Sequence, residues 1–162
     1  MASRRPPDLV KAFVAVLGGD DQRVESAAEA LVPAWGPLDL RSQTFPFGHT
    51  DYYEAEMGPD LRRRFFAFER LIDPGLLPDL KDQAARLEDE LATDGRRPVN
   101  LDPGYLDYNK VVLASYKPGG QKVYMRDGVY ADLVLLYERG QFTPFAWTFP
   151  DFVGPDYGPV LM

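Results

Sequence analysis

The chain has 162 residues, a length that fits one domain, and 45% of them are hydrophobic, which is enough to form a core. Its 25 acidic and 18 basic side chains give a formal charge of −7, which argues against nucleic acid or an anionic membrane surface as a partner and permits metal ions and cationic partners. Because cysteine is absent, disulfides, cysteine-ligated zinc, iron–sulfur clusters and thiol nucleophiles are excluded, and we predict no haem.

The N-terminal segment gives no targeting signal. Its first seven residues, Met-Ala-Ser-Arg-Arg-Pro-Pro, lack the apolar stretch of a signal peptide. No run of about 18 apolar residues follows, so no transmembrane helix is predicted. We expect a cytoplasmic protein in which residues 1–8 form a peripheral tail.

The apolar segment Val10–Leu17 predicts a buried strand in the middle of a sheet, because it is apolar on both sides. Gly18-Gly19 follows, and Asp20 can cap a helix whose apolar residues recur as far as Val32. A strand, two glycines and a helix resemble a phosphate-binding turn. The sequence matches neither GxxxxGK[ST] nor GxGxxG, however, and Asp20 and Asp21 would compete with an anion. We interpret the segment as an ordinary capped helix.

The next segment predicts a second strand over Leu38–Phe47, and Asp51–Met57 extends that strand or forms another. Gly58-Pro59-Asp60 then predicts the start of a helix. The apolar stripe of that helix consists of Leu61, Phe65, Phe68 and Ile72. The three arginines at 62–64 fall on three different faces of such a helix, which indicates a solvated surface rather than an anion clamp.

A second helix begins at Leu77-Pro78-Asp79, with Gly95 as its C-terminal cap. The last third of the chain predicts a β-meander, with hairpin turns at Asp127-Gly128 and Arg139-Gly140. Its strands are Val111–Ser115, Lys122–Met125, Val129–Glu138 and Gln141–Trp147. The segment 153–162 contains prolines and glycines and is predicted to lie on the surface as a second tail.

Together these elements predict an α+β fold in a single domain, 1–162, whose core covers about residues 10–152. We expect an antiparallel or mixed sheet with a C-terminal β-meander and with helices mainly on one face.

Asp132 is a candidate buried acid. Ideal two-residue turns place Val123 and Trp147 opposite it on the neighbouring strands, and its own strand is apolar on both faces. Its neutral partners would be the Trp147 indole N–H and a tyrosine hydroxyl, and burial without a cationic partner would raise its pKa. The alternative is a structural carboxylate that bonds to a backbone turn or to a lysine.

Other acids also lie among aromatic or aliphatic neighbours. If Tyr52–Met57 is a strand, Glu54 and Glu56 share one face and could bind a hard cation together with Asp102 or Asp132. The alternative is that both are solvated or paired with the arginines that follow.

Two further segments are candidates for the same site. Asp102-Pro103-Gly104-Tyr105 predicts a turn, which is structural or functional. The single histidine, His49, is either a loop-borne general base or an ordinary loop residue, and its being alone excludes a multi-histidine metal site within one chain.

These segments predict one shared acidic and aromatic site. Its expected lining is Asp51, Tyr53, Glu54, Glu56, Asp102, Tyr105, Asp132 and Trp147. The catalytic candidates are Asp132, Asp102 and His49, and the metal candidates are Glu54, Glu56 and Asp102. We therefore predict a domain that binds a small molecule or a metal, with a divalent cation as the candidate cofactor; an enzyme would fit the same site.

The competing interpretation is a non-catalytic interaction module that forms a homodimer. It rests on the aromatic side chains that crowd the C-terminus. These are Phe142, Phe145, Phe149, Phe152 and Tyr157.

The chain contains four motifs that are informative as an ordered set. They are TDYYEAEMG at 50–58, VNLDPGY at 99–105, VVLAS at 111–115 and WTFPD at 147–151. Together they resemble DUF4416, a bacterial and archaeal family of unknown function, over about Val10 to Phe152. The family pattern has a His-Arg-Ile-Tyr-Leu-like strand, for which this chain has Gln-Lys-Val-Tyr-Met at 121–125 and therefore no histidine.

Some members of that family are labelled GTP-binding. The resemblance therefore adds nucleotide binding as a further alternative, supported by Gly18-Gly19 and by the arginines at 62–64. Neither a Walker motif nor an Asn-Lys-x-Asp motif is present.

Overall fold

The structure is a computed structural model that describes residues 1–48 and 52–162, so the predictions for His49, Thr50 and Asp51 lie outside the described residues. Within that part of the chain, nine strands form one sheet in the order β2-β4-β1-β5-β6-β8-β7, with β3 beside β4 and β9 beside β8. The strands are β1 Val10–Gly18, β2 Leu38–Arg41, β3 Phe45–Pro46, β4 Arg62–Ile72, β5 Val99–Leu106, β6 Lys110–Ser115, β7 Val123–Arg126, β8 Val129–Glu138 and β9 Gln141–Pro144. The helices are α1 Asp21–Ala30, α2 Val32–Trp35, α3 Glu54–Met57, α4 Leu77–Leu91, α5 Pro150–Val153 and α6 Gly158–Leu161, with a 3₁₀ turn at Pro74–Leu76.

The predicted α+β class is confirmed, and every pair of neighbouring strands is antiparallel. As predicted, β1 lies in the middle of the sheet, between β4 and β5. Its residues alternate between two cores. Val14 and Val16 pack under α1, α2 and α4 on what we call the helix face, and Phe13 and Ala15 pack under α5 and α6 on the C-terminal face. Because both faces of β1 are covered, nearly all of it is apolar.

The helix after β1 is capped as predicted. The Asp20 carboxylate accepts hydrogen bonds from the backbone N–H groups of Gln22 and Arg23, with oxygen–nitrogen distances of 2.7 and 3.4 Å. The side chain therefore occupies the place that an anion would take at this helix N-terminus.

The predicted helix over 61–72 is wrong, because this segment is the strand β4. A strand covered on both faces is apolar at consecutive positions, and Phe65, Phe66 and Phe68 are all almost completely buried. The helical spacing read from the sequence is a subset of this continuous apolar run. In the strand, Arg62 and Arg64 share one face and Arg63 points to the other, into the protein.

Two predicted local structures before and after α4 are also wrong. Glu54–Met57 is the helix α3 rather than a strand, so Glu54 and Glu56 do not share a strand face. The helix α4 ends at Leu91, and Gly95 lies four residues later in a tight turn in which Thr93 and Arg96 are bonded through their backbones. Gly95 has a φ of 73° there, so glycine serves the turn and not a helix cap.

The predicted turn at 102–105 is instead part of β5. Gly104 allows a close approach, because a Cβ atom at this position would lie 2.4 Å from the Val112 carbonyl oxygen and 2.8 Å from the Phe13 ring. The pairing of β5 with β6 covers only Gly104–Leu106 and stops at Pro103, which has no backbone N–H to donate. The two strands separate beyond this point, beside Asp102.

The two C-terminal hairpins are confirmed, because β8 pairs with β7 and with β9, and both turns have the predicted residues at positive φ: Asp127 and Gly128 at 54° and 77°, Arg139 and Gly140 at 52° and 82°. The four strands do not form a simple meander, because β6 pairs with β8 rather than with β7. A bulge in β7 shifts the register by one residue, so Val123 pairs with Ala131 and not with Asp132.

The predicted surface position of segment 153–162 is wrong. Tyr157 and Leu161 are only 2% and 5% exposed, and the Tyr157 ring packs against Phe45 and Phe65 at centroid distances of 5.1 and 4.7 Å. A few apolar side chains in a proline- and glycine-containing segment are enough to attach it to a sheet face that needs cover. By contrast, residues 1–9 are exposed. In the described part of the chain, each helix is too short or too polar to cross a bilayer.

Candidate functional site

A cavity of about 570 Å³ opens where β5 and β6 separate, and we call it the β5–β6 cavity. Residues from both sides of the sheet opening form its walls, together with α5 and the segment around Tyr52 and Tyr53. Its polar lining includes Arg63 from β4, Asn100 and Asp102 from β5, Asp132 from β8 and Asp151 from α5. The cavity thus exists because Pro103 ends the ladder between two central strands.

Arg63 is a buried cation at the wall of this cavity, with only 4% of its surface exposed. Its Nη1 lies 3.1 Å from Asp102 Oδ2, its Nη2 lies 3.5 Å from Asp151 Oδ2, and it also donates to the Ala15 carbonyl oxygen at 3.4 Å. Burial acts to lower the pKa of Arg63, but the two carboxylates together raise it by more than burial lowers it, so the net direction is upward. Arg63 therefore stays charged and holds Asp102 and Asp151 in place.

A second arginine of the cavity lining extends this network towards α3 and α4. Arg97 binds Glu56 with two parallel bonds of 2.8 Å, donates to Asn100 Oδ1 at 3.0 Å and also contacts Glu88 at 3.0 Å. Asn100 in turn donates to Asp102 Oδ2 at 2.9 Å. The hydrogen bonds to Arg97 lower the pKa of Glu56, whereas burial raises the pKa of Glu88. A continuous chain of charged hydrogen bonds thus links Glu56 on α3 to Asp151 on α5 through the wall of the cavity.

Asp132 is 2% exposed on β8, so its predicted burial and strand position are confirmed. Its Oδ1 is buried and has no hydrogen-bond partner among the described residues. Burial raises its pKa, as predicted, while the charge of Lys122 and a hydrogen bond from Gln121 act in the opposite direction.

The predicted contact between Asp132 and Trp147 is wrong. The strand β9 ends at Pro144, so Trp147 lies beyond the ladder, and its indole N–H donates to the Leu133 carbonyl oxygen at 2.8 Å. Trp147 is 43% exposed and stacks on Phe145, with 4.6 Å between the ring centroids. The β6 residue opposite Asp132 is Leu113.

The structure brings together part of the predicted site. Tyr53, Asp102 and Asp132 line the β5–β6 cavity, and burial together with the charge of Asp102 raises the pKa of Tyr53. Glu56 reaches this group only through Arg97, and Glu54 is exposed on α3.

Tyr105 does not belong to the cavity. It lies three residues after Asp102 on β5, so it points to the opposite face of the sheet, and there it packs against the helix-face core. Asp51 and His49 lie outside the described residues.

The predicted metal grouping of Glu54, Glu56 and Asp102 is not formed. Glu56 is bound by Arg97, and Asp102 by Arg63 and Asn100. Across residues 1–48 and 52–162, no three acidic or histidine side chains lie close enough together to hold a metal ion.

Sequence reasoning missed Arg63, Asn100 and Asp151. Arg63 could have been found from the sequence. If 62–68 is a strand, its side chains alternate between the two faces, so Arg63 lies on the same face as the buried Phe65. Asp151 lies in a motif that was noted, but its pairing with Arg63 joins residues 88 positions apart, which no local pattern reveals.

The fold and the cavity define an α+β protein built on one antiparallel sheet, with a polar cavity between two of its central strands. The chain belongs to the DUF4416 family, described as a domain of unknown function, whose family model matches residues 8–162. Neither a curated protein nor a solved structure matches the chain.

Proposed function

We propose that this protein binds a small organic molecule in the β5–β6 cavity and that Asp132 accepts a hydrogen bond from it. The observation that carries the proposal is the Oδ1 atom of Asp132, which is buried at the cavity wall and has no hydrogen-bond partner within residues 1–48 and 52–162. Burying a carboxylate oxygen without a hydrogen bond is unfavourable by about 1–3 kcal/mol or more. A donor supplied by a ligand would satisfy it.

The size and lining of the cavity support a ligand of this kind. Small-molecule sites usually measure about 300–1,000 Å³ and combine apolar walls with a few fixed polar groups. Here the volume is about 570 Å³, and the aromatic side chains of Phe47, Tyr53 and Phe149 lie among the charged ones. The ion pairs of Arg63 fix two of the wall carboxylates before any ligand arrives, which reduces the cost of ordering on binding.

If the ligand is a substrate, Asp132 is the residue best suited to proton transfer. It lies at the cavity wall, and burial raises its pKa, the direction that favours a general acid–base role for a carboxyl group. Asp102 is less suited, because Arg63 and Asn100 already bind its Oδ2.

The groups on which nucleotide binding was predicted are engaged elsewhere. Arg62 pairs with Asp21 at 2.9 Å, Arg64 pairs with Glu25 at 2.5 Å, and Asp20 occupies the N-terminus of α1. A homodimer is the second candidate, because Trp147 and Phe149 are exposed, although Phe152 and Tyr157 lie in the core.

A thermal-shift screen tests the proposal. The compounds should span amines, organic acids, sugars and nucleotides, including GTP and ATP with Mg²⁺, because a ligand that binds the folded state raises the melting temperature. We expect at least one compound to stabilise the wild type, and Asp132→Asn to abolish or sharply reduce that shift. Asp94→Asn, at an exposed turn outside the cavity, is the matched control and should keep it. Stabilisation that is equal in wild type and Asp132→Asn, or no stabilisation by any compound, would refute the proposal.

A further inference from the structure

The lysines of this protein are distributed unevenly. Of the five in the sequence, Lys11 pairs with Asp39 and Lys110 pairs with Asp107. The other three, Lys81, Lys117 and Lys122, all line the β5–β6 cavity. Within the described residues none of these three has a carboxylate oxygen within 4.0 Å, although the chain carries 25 acids against 18 bases.

Neutral groups hold the three cavity lysines instead. The Lys117 ammonium lies 5.4 Å from the centre of the Tyr52 ring, and the Lys81 ammonium lies 5.3 Å from the centre of the Tyr116 ring. Lys122 donates to Ser115 Oγ at 3.2 Å. Aromatic rings and hydroxyl groups orient an ammonium without neutralising it, so the positive charges remain available to a ligand.

The other two cations of the cavity are already committed. Arg63 is bound by Asp102 and Asp151, and Arg97 is bound by Glu56 and Glu88. Among the described residues, the lysines are therefore the cations of the lining that form no ion pair with a carboxylate within 4.0 Å. They also lie nearer to solvent than the acid does, because Lys117 is exposed and Lys122 is half-buried, whereas Asp132 is 2% exposed.

We infer that the ligand of the β5–β6 cavity is an organic anion whose carboxylate or phosphate group binds among Lys81, Lys117 and Lys122 while a hydrogen-bond donor of the same molecule meets Asp132. The inference rests on the proposed function and specifies the chemistry of the ligand. Lysine ammonium groups act as mobile point charges that suit either kind of acid. The anionic end lies at the mouth and the donor end lies inside.

The net charge of the protein makes this inference testable without knowing the ligand. A fragment library with equal numbers of anionic, neutral, cationic and zwitterionic compounds is screened by ligand-observed NMR. A surface with a formal charge of −7 favours cationic fragments in general, so an excess of acids among the hits must come from a local site. We expect hits that compete with one another to be enriched in acidic groups, and raising the salt concentration to weaken them.

Two sets of variants test whether the cavity lysines cause the preference for acidic fragments. Combining Lys81→Gln, Lys117→Gln and Lys122→Gln should weaken the acidic hits by about tenfold or more and leave the neutral hits nearly unchanged. The matched control combines Lys11→Gln, Lys110→Gln and Arg5→Gln, which removes the same number of positive charges outside the cavity, and it should retain the acidic hits. Circular dichroism checks that both remain folded.

The outcomes separate the two proposals. In one outcome, the hits are lost in Asp132→Asn but show no preference for acids. In another, they bind the lysine variant and the control variant with equal affinity. Either outcome would overturn the inference and leave the proposed function standing. A library that gives no hits sensitive to Asp132→Asn would overturn both.

Discussion

The buried position of Asp132 should make the stability of this protein depend on pH. Burial raises the pKa of this carboxyl above its ordinary value of 3.8, so the folded protein holds the proton more tightly than the unfolded chain does. The corresponding stability is fully present below pH 3.8 and is lost as the pH rises through the folded-state pKa. We therefore expect Asp132→Asn, which cannot ionise, to gain free energy of unfolding relative to the wild type between about pH 4 and pH 7. Urea unfolding of both proteins at the two pH values measures the difference, and a difference that is independent of pH would contradict the assignment.

The ion pairs of Arg63 predict a strong asymmetry between neighbouring arginines. Arg63→Met leaves two carboxylates at a buried site without their cation, which should lower the free energy of unfolding by about 3–5 kcal/mol. Arg62→Met is the matched control, because its pair with Asp21 is exposed and should contribute less than about 1 kcal/mol. Adding Asp151→Asn to Arg63→Met should recover part of the loss. Equal effects of the two arginine variants in denaturant unfolding would show that Arg63 is not a buried cation.

At the scale of the strand, the close approach of β5 to β6 depends on Gly104. A Cβ atom there would lie 2.4 Å from the Val112 carbonyl oxygen, which is backbone and cannot move aside cheaply. We expect Gly104→Ala to destabilise the protein by about 1–3 kcal/mol, as overpacking does elsewhere. Gly120→Ala is the control, because a Cβ atom at that position would meet nothing within 4 Å. Thermal unfolding compares them, and a neutral Gly104→Ala would mean that the ladder is looser than described.

The elements that could be predicted from the sequence are those set by local chemistry. The hairpin turns at Asp127-Gly128 and Arg139-Gly140, the Asp20 cap and the central strand β1 all follow from a few adjacent residues. The strand β4 could not be assigned in the same way, because its spacing of apolar residues satisfies a helix as well as a two-sided strand, and only pairing with β1 decides between them.

The candidate site was predictable only in part, for a similar reason. Tyr53, Asp102 and Asp132 lie in unusual local surroundings, and the sequence shows that. Their assembly around one cavity depends on Pro103 ending the ladder between β5 and β6, an effect that appears only once the strands are paired.

At the scale of the whole molecule, the two ends of the chain should differ in their contribution to the stability of the fold. Deleting residues 153–162 removes Tyr157 and Leu161 from the C-terminal face, and loss of one buried aromatic side chain alone usually costs about 3–5 kcal/mol. Deleting residues 1–8, which are exposed, should leave the melting temperature within about 2 °C of that of the full chain. Differential scanning calorimetry of the two truncated proteins makes the comparison. A C-terminal truncation as stable as the N-terminal one would show that the last ten residues do not belong to the core.

The short ladder between β5 and β6 has a mechanical consequence. Only three residue pairs join these strands, against eight between β1 and β5 and six between β6 and β8. The sheet therefore consists of two well-paired parts, β2-β4-β1-β5 and β6-β8-β7, joined by a short ladder across which α4 packs on the helix face. A molecule in the β5–β6 cavity would contact both parts of the sheet and α4 as well, so its binding would hold the two parts together.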